Sequence, residues 1–333
     1  MTLPNIEQEP AESWQSQLRA IQDIPSLYSA GHLDLDNQKV AQQAHELFST
    51  RVPQDFLNRI KLGDKNDPLL LQVLPQAQEL IKHADFTPDP VGDQASIKAE
   101  GVLHKYHGRV LLITTGACAI HCRYCFRRHF PYNESHIGGK RLDAAIDYIR
   151  DDPSISEVIL SGGDPLTLSN ENLHRITARL NVIKHIKRLR IHTRIPVVLP
   201  DRVNSAFIDW ISSIRQQVSI VIHTNHANEL DKKVQSTLES LHQTGAVLLN
   251  QSVLLKDVND STDTLIALSH RLFECRVLPY YLHQLDRTEG TVHFNVNDDT
   301  AIELISHLRN TLPGYLVPKL VRENTGQQSK TPL

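Results

Sequence analysis

The stretch RVLLITTGACAIHCRYCFRRHFPY, residues 109–132, joins an apolar strand pattern to a loop with three cysteines. The strand is expected over Arg109–Thr115, and Cys118, Cys122 and Cys125 follow it with the spacing C-x3-C-x2-C. Thiolates this close together can bind one metal centre, and a cubane cluster with three cysteine ligands leaves one iron open. The pattern therefore predicts an iron–sulfur cluster directly after the first strand of the sheet.

Two other interpretations of this loop stay open on spacing alone. A zinc ion could use His121 or His129 as its fourth ligand, although structural zinc sites usually pair two ligand-bearing turns and no second turn is evident. A purely structural group of thiols is the other alternative. The fourth cysteine, Cys275, stands alone before a predicted strand and is expected to be a small buried apolar residue.

Strand and helix patterns alternate six times from about residue 100 onward. This order indicates a parallel α/β sheet, either doubly wound or a barrel short of the usual eight units. The strands are expected at Arg109–Thr115, Val158–Ser161, Leu189–Thr193, Ser219–His223, Val247–Gln251 and Val277–Tyr281. The helices are expected at 140–151, 169–183, 201–215, 227–243, 261–273 and 297–310, with Asp201 and Ser261 as N-caps and Gly245 as a helix stop.

The first 95 residues differ from the rest, because helical apolar spacing dominates and prolines separate the segments. Helices are expected within Ala11–Ile24, Asn37–Leu47 and Pro53–Leu62. The turn-rich sequence DFTPDPVGD, residues 85–93, is a plausible boundary. We therefore divide the chain into a helical N-terminal region, 1–95, and an α/β core, 96–333.

Composition restricts the class of protein. The 333 residues are 40% hydrophobic and 22% charged, with a formal net charge of -3. Nothing in this balance predicts a nucleic-acid or membrane partner. The polar, acidic N-terminus lacks the pattern of a signal peptide, so we expect a cytoplasmic protein.

Unusual polar residues follow several of the predicted strands. Since the carboxyl ends of parallel strands lie at one edge of a sheet, these residues are expected to share one site with the cysteine loop. They are Gly162–Asp164, Arg194, His223–His226, Gln251 and His283–Asp286.

The cysteine spacing, with Tyr124 before the third cysteine, resembles the radical S-adenosylmethionine (SAM) superfamily. Six further motifs in order resemble its lysine 2,3-aminomutase family: LSGGDPL (160–166), HTRIPVVLP (192–200), HTNHANEL (223–230), NQSVLLKDVND (250–260), LPYYLHQLD (278–286) and SKTPL (329–333). The resemblance implies a partial (β/α)6 TIM-like barrel that uses a [4Fe-4S] cluster, SAM and pyridoxal 5'-phosphate. It is strongest to the bacterial branch that supplies β-lysine for modification of elongation factor P.

The resemblance also implies roles for individual residues. Cys118, Cys122 and Cys125 would bind the cluster, and Lys330 would form a Schiff base with pyridoxal phosphate. Cofactor-binding positions would be Tyr106, Arg109, Gly162, Gly163, Asp164, His223 and Gln251. Arg127 would bind the carboxylate of L-lysine, and Asp286 and Glu323 would bind its distant ammonium, with Glu323 standing where lysine aminomutases commonly carry aspartate.

Further implications concern partners and alternatives. An external reductant for the cluster is expected, and a homo-oligomer is possible. The family position that joins a zinc site in some members is Ser261 here, so no such zinc is expected. The alternatives are an aminomutase for another amino acid such as glutamate, a non-catalytic binding protein, or a zinc-binding structural protein. The acids Asp286 and Glu323 favour a cationic substrate.

Overall fold

The computed structural model describes residues 13–18, 23–31, 38–132 and 139–333. The N-terminal part contains helices α1 to α5 at Ser13–Gln17, Ile24–Gly31, Gln38–Leu47, Gln54–Leu57 and Pro68–Leu71. The helix expected at Asn37–Leu47 is confirmed. The segment Ala11–Ile24 lies partly outside the described residues, and Pro53–Leu62 contains only a short helix before a run of turns.

The core is one ten-stranded sheet in which neighbours follow chain order. Strands β1 to β10 cover Ile97–Ala99, Val102–Tyr106, Arg109–Thr115, Glu157–Gly162, Arg188–Thr193, Gln217–His223, Val247–Val253, Leu278–His283, Lys319–Arg322 and Thr331–Pro332. Strands β3 to β9 pair in parallel, and the strands at both ends are antiparallel additions. Six β–α units in this order confirm the predicted partial barrel.

Helices α6 to α12 follow the strands of the core. They cover Lys140–Asp151, Asn170–Asn181, Ile195–Val198, Ser205–Ser212, Lys232–Gln243, Thr262–Glu274 and Asp298–Thr311. No helix of the described ranges is both long enough and apolar enough to cross a membrane. The division at residue 95 stays a prediction.

Of the three residues predicted to begin or end helices, two are confirmed and one is wrong. The Ser261 hydroxyl caps α11, and Gly245 follows α10 with a φ of +84°. Asp201 is not an N-cap: it lies in a 3-10 turn that Pro200 begins, and its carboxylate contacts Lys233 at 2.8 Å. Asn204 caps α9 instead, by accepting from the backbone N–H of Phe207.

Alternation along the strands separates the core from the inner face of the barrel. Leu189 and Ile191 of β5 are fully buried in the main apolar core, whereas His192, which follows Ile191 on the opposite face of the same strand, borders an inner cavity. The same alternation in β6 and β7 turns His223 and Gln251 toward the cavity. Cys275 is fully buried in the main core, as expected.

A buried carboxylate joins the N-terminal part to the cysteine loop. The Glu79 carboxylate accepts hydrogen bonds from Arg123 Nε at 2.9 Å and Arg123 Nη2 at 2.6 Å. It accepts a third from Arg128 Nη2 at 2.9 Å. Arg123 also donates to the Phe48 carbonyl at 2.7 Å. Arg123 directly follows Cys122 and Arg128 lies three residues after Cys125, so this carboxylate fixes the loop against the N-terminal helices.

We expect Glu79→Gln to lower the free energy of unfolding by about 3–5 kcal/mol, because it leaves two buried guanidinium groups without a counter-charge. Denaturant unfolding followed by circular dichroism measures the change. Asp143→Asn removes the exposed partner of Arg179 and is the matched control, with an expected loss below about 1 kcal/mol. Equal effects in the two variants would contradict the role of Glu79.

Candidate active site

One cavity of about 540 Å³ collects all the residues to which the resemblance assigned a role, whereas four of the polar residues expected at the strand ends, Thr224, Asn225, His226 and Gln284, do not line it. It lies on the inner face of the barrel, where the loops after several strands meet. The predicted residues that line it are Tyr106, Arg109, Cys118, Cys122, Cys125, Arg127, Gly162, Gly163, Asp164, His223, Gln251, Asp286, Glu323 and Lys330. Their proximity makes a shared site geometrically possible, while the role of each residue stays a prediction.

The three cysteines of the loop are free and half-buried. Burial raises the pKa of the Cys118 thiol well above its usual range and that of Cys125 to about 11, with the nearby Cys122 adding to the second effect. Thiols bind metal as thiolates, so metal binding must supply the positive charge that offsets this cost. Three such thiols on one cavity wall are a suitable donor set for a cluster.

The two histidines considered as zinc ligands point to other partners. Nδ1 of His121 contacts the Ser49 carbonyl oxygen at 2.7 Å, and Nε2 of His129 contacts the Glu289 carbonyl oxygen at 3.2 Å. Within the described ranges, no three His, Cys, Asp or Glu side chains are grouped closely enough to hold a single metal ion. A cubane presents each thiolate with an iron of its own, so its ligands stand farther apart than those of one zinc ion.

The end of β4 lies directly against the cysteine loop. Gly163 donates its N–H to the Thr115 carbonyl at 2.8 Å, and Asp164 donates to the Ala117 carbonyl at 2.7 Å. A Cβ atom on Gly163 would lie 2.3 Å from the Ala117 oxygen, and one on Gly162, whose φ is +122°, would lie 2.5 Å from the Thr115 oxygen. Only glycine allows this approach of two backbones.

The carboxylate of Asp164 is bonded to the protein itself. Its Oδ1 accepts from Leu166 N at 3.0 Å and the Thr193 hydroxyl at 2.8 Å, and its Oδ2 accepts from Arg194 N at 2.7 Å and Ile195 N at 3.2 Å. Burial raises the pKa of Asp164 although these donors oppose the shift. The carboxylate therefore joins the ends of β4 and β5. Its expected role in cofactor binding stays a prediction.

A row of five alternating charges crosses the cavity wall. Asp93 Oδ2 receives Arg127 Nε at 2.7 Å, and its Oδ1 lies 2.6 Å from Lys105 Nζ. Lys105 Nζ also contacts Glu323 Oε1 at 2.9 Å, and Glu323 Oε2 contacts Lys330 Nζ at 2.6 Å. Burial disfavours the charge on Glu323, but Lys330 and Lys105 outweigh it and hold the pKa of this carboxyl well below its usual range.

Asp93 and Lys105 were not predicted as site residues. Asp93 ends the segment that the sequence analysis treated only as a boundary, and Lys105 precedes the predicted Tyr106. A charged residue next to a predicted ligand was the available signal for Lys105. His192 was also missed: it lines the cavity, and its Nε2 is buried without a partner among the described residues. Its signal was its alternation with Leu189 and Ile191.

Asp286 differs from the other acids of the cavity. Its Oδ1 is buried and has no hydrogen-bond partner among the described residues. Burial raises the pKa of Asp286 to about 7, Lys330 opposes the shift, and Glu323 adds to it. An unpaired buried carboxyl is costly, so the position favours a cationic ligand.

The neutral groups of the cavity have defined contacts as well. Nε2 of His223 contacts the Tyr124 hydroxyl at 2.9 Å, and burial lowers the pKa of His223 to about 3, so the ring is uncharged. The Arg109 guanidinium lies 4.8 Å from the centre of the Tyr106 ring. Arg109 offers a planar cation for a phosphate, and Lys330 offers an amine for a Schiff base. The residues present thus fit a cluster and pyridoxal phosphate.

Comparison with known proteins decides the family. The model of the radical SAM superfamily matches residues 112–265, which include the cysteine loop. The L-lysine 2,3-aminomutase of Escherichia coli strain K12 is 44% identical over 97% of this chain and 94% of its own length. The chain belongs to the L-lysine 2,3-aminomutase family. The L-lysine 2,3-aminomutase of Haemophilus influenzae is 42% identical over 98% of both chains. The L-lysine 2,3-aminomutase of Clostridium subterminale is 35% identical over 96% of this chain and 77% of its own length.

Membership in the lysine 2,3-aminomutase family confirms several predictions at once. The superfamily, the isomerase class and the family's use of a [4Fe-4S] cluster, SAM and pyridoxal phosphate agree with the resemblance drawn from the motifs. The family membership therefore disfavours the two other hypotheses for this protein, a zinc-binding structural protein and a non-catalytic binding protein. The roles of individual side chains stay predictions.

We expect Gly163→Ala to reduce the iron content of the anaerobically reconstituted protein, because the added methyl group would push the Ala117 backbone and the cysteine loop away from β4. Iron and sulfide assays give the occupancy, and the melting temperature shows whether the fold survives. Gly314→Ala is the control, since no atom lies within 4 Å of the Cβ that it would add. Full iron content in Gly163→Ala would contradict the argument.

We expect Asp286→Asn to stabilise the cofactor-free protein more at pH 8 than at pH 5. The folded-state pKa of Asp286, about 7, lies above its unfolded value. Ionisation of Asp286 therefore lowers the stability of the folded state as the pH rises through about 7, whereas asparagine does not ionise. Each pKa unit corresponds to about 1.4 kcal/mol, so the gain at pH 8 should be a few kcal/mol. Melting temperatures at the two pH values test this, with the exposed Glu303→Gln as control. A gain independent of pH would refute it.

Proposed function

We propose that this protein converts L-lysine to β-lysine by moving the amino group from the α-carbon to the β-carbon. The observation that carries the proposal is the cavity that holds three cysteines, the amine of Lys330 and the unpaired carboxyl of Asp286 together. The first two features suit the cofactors of the family, and the third suits the ammonium at the end of a lysine side chain.

Cofactors and side chains have separate tasks in this proposal. When bound, the cluster and SAM supply a radical that removes a hydrogen atom, and pyridoxal phosphate holds the migrating amino group. Lys330 would hold pyridoxal phosphate through its amine. Glu323, at 2.6 Å from Lys330 Nζ, keeps that amine oriented toward the cavity.

Arg127 is the proposed partner of the substrate carboxylate. Its guanidinium lines the cavity and is held by Asp93 at Nε, 2.7 Å away, and by the Ser161 hydroxyl at Nη1, 3.3 Å away. Burial opposes the charge, but Asp93 outweighs burial and raises the pKa of Arg127. The guanidinium is therefore a fixed cation, which can hold the carboxylate of an amino acid in one orientation.

Asp286 is the proposed partner of the distant ammonium, with Glu323 as the second acid. Glu323 already contacts two lysines, so Asp286 supplies the unmatched negative charge. The side chain of a glutamate substrate would bring a third carboxylate next to Asp286 and Glu323. Like charges placed next to each other cost several kcal/mol. This charge pattern supports lysine over glutamate as the substrate.

The wider setting is proposed from the resemblance. The enzyme would act in the cytoplasm, take electrons for its cluster from an external reductant, and supply β-lysine for the modification of elongation factor P. Self-association is a further possibility for this chain. The sequence similarity to bacterial lysine 2,3-aminomutases over nearly the whole chain supports this placement.

We expect the reconstituted enzyme to form β-lysine from L-lysine and to prefer lysine over glutamate by at least about a hundredfold, which corresponds to the cost of like charges. Lys330→Ala should keep its iron but lose both β-lysine formation and the absorption band of covalently bound pyridoxal phosphate. Lys319→Ala, an exposed lysine on β9, should keep all three.

Amino-acid analysis of the products, iron assays and visible spectra give these results. Turnover retained by Lys330→Ala would exclude Lys330 as the attachment site. Formation of a β-amino acid from glutamate but not from lysine would overturn the proposed substrate.

A further inference from the structure

Arg194 lies beside the second cysteine of the loop, in a position that the proposed roles do not use. Its Nη1 donates to Cys122 Sγ at 2.7 Å. Its Nη2 donates to Glu229 Oε2 at 2.9 Å and to Gln72 Oε1 at 2.7 Å. The side chain is only 6% exposed, so a full positive charge is held against a ligand sulfur out of contact with bulk water.

Several groups prevent the guanidinium of Arg194 from turning away. It lies 5.3 Å from the centre of the Phe56 ring and 5.8 Å from that of Tyr124. The Arg194 backbone N–H is bonded to Asp164 at 2.7 Å, which fixes the chain at the end of β5. The position of the Arg194 side chain is therefore determined by the fold rather than by the sulfur alone.

Glu229 is equally well fixed and carries the opposite charge. It is fully buried, and its Oε1 accepts from Asn225 N at 2.8 Å and His226 N at 3.1 Å. Its Oε2 takes the ion pair with Arg194. Cys122 of the cysteine loop thus contacts the buried cation of Arg194 directly. The buried anion of Glu229 contacts the other side of the same guanidinium.

We propose that Arg194 is a positioning and tuning residue that raises the reduction potential of the [4Fe-4S] cluster through its bond to Cys122 Sγ, and that Glu229 moderates this effect. The inference rests on the proposed use of Cys122 as a cluster ligand. A reduced cluster carries one more negative charge, part of it on the ligand sulfurs. A charged donor at the sulfur stabilises that state, and a nearby carboxylate opposes it.

The test is a redox titration of the full-length, anaerobically reconstituted protein with dithionite and mediator dyes, followed by the paramagnetic resonance signal of the reduced cluster. Arg194→Gln should lower the equilibrium constant for reduction of the cluster about tenfold. For a one-electron couple this lowers the midpoint potential by about 59 mV. Glu229→Gln should shift the midpoint in the opposite direction, because the glutamine oxygen still accepts from the backbone while the negative charge is gone.

Arg202→Gln is the matched control. Arg202 is fully buried in the same segment, but its Nε donates to the Leu166 carbonyl at 2.8 Å and its Nη2 to the Leu168 carbonyl at 3.0 Å, with no contact to a sulfur. A general loosening of the fold would move all three midpoints alike, whereas the proposal requires two opposite shifts and an unchanged control. Opposite shifts support it.

Unchanged midpoints, or shifts of one sign in all three variants, overturn the role of Arg194. If Arg194→Gln loses its iron, Arg194→Lys and Glu229→Gln carry the test, since the first keeps the charge and the second leaves Arg194 in place. A parent protein without iron or resonance signal would instead overturn the cluster assignment itself. An intact cluster with unmoved midpoints would overturn only the tuning.

Discussion

The close contact between the backbones of β4 and the cysteine loop determines where the other site residues can lie. Gly163 donates its N–H to Thr115 at the end of β3, at 2.8 Å, and Asp164 donates to Ala117 of the loop, at 2.7 Å. The Asp164 carboxylate then extends the contact to the end of β5, where Arg194 begins. These hydrogen bonds connect the cysteine loop, the end of β5 and Arg194, whose guanidinium contacts Cys122.

Paired charges account for most of the remaining order in the cavity. Arg127, Asp93, Lys105, Glu323 and Lys330 alternate in sign, and each carboxylate of this row contacts two cations. Buried charges are costly unless they are paired and hydrogen-bonded. Loss of any one member of this row would therefore leave a neighbouring buried charge without its partner. Asp286 stands outside this compensation, which is why it is the group most suited to an incoming cation.

The sequence predicted the fold and much of the site because both leave local patterns. The six β–α units follow from periodicity, and β3 was predicted to the residue, Arg109–Thr115. The cysteine loop and Lys330 were found from motifs. Asp93 and Lys105 were missed because their contacts are with partners far away in the chain, such as Glu323 for Lys105. His192 was missed because its place on the cavity wall depends on the assembled sheet. The wrong cap at Asp201 has a similar cause, since Pro200 and Lys233 determine its position.

Among the described strands, no ladder of backbone hydrogen bonds joins β10 to β1, yet the two edges of the sheet are connected by side chains. Lys105 lies on β2 near one edge and Glu323 follows β9 near the other, and they are joined at 2.9 Å. The second oxygen of the same carboxylate holds Lys330. A single side chain thus serves both the architecture and the chemistry. The side chain of Glu323 is long enough to span the gap between the two edges.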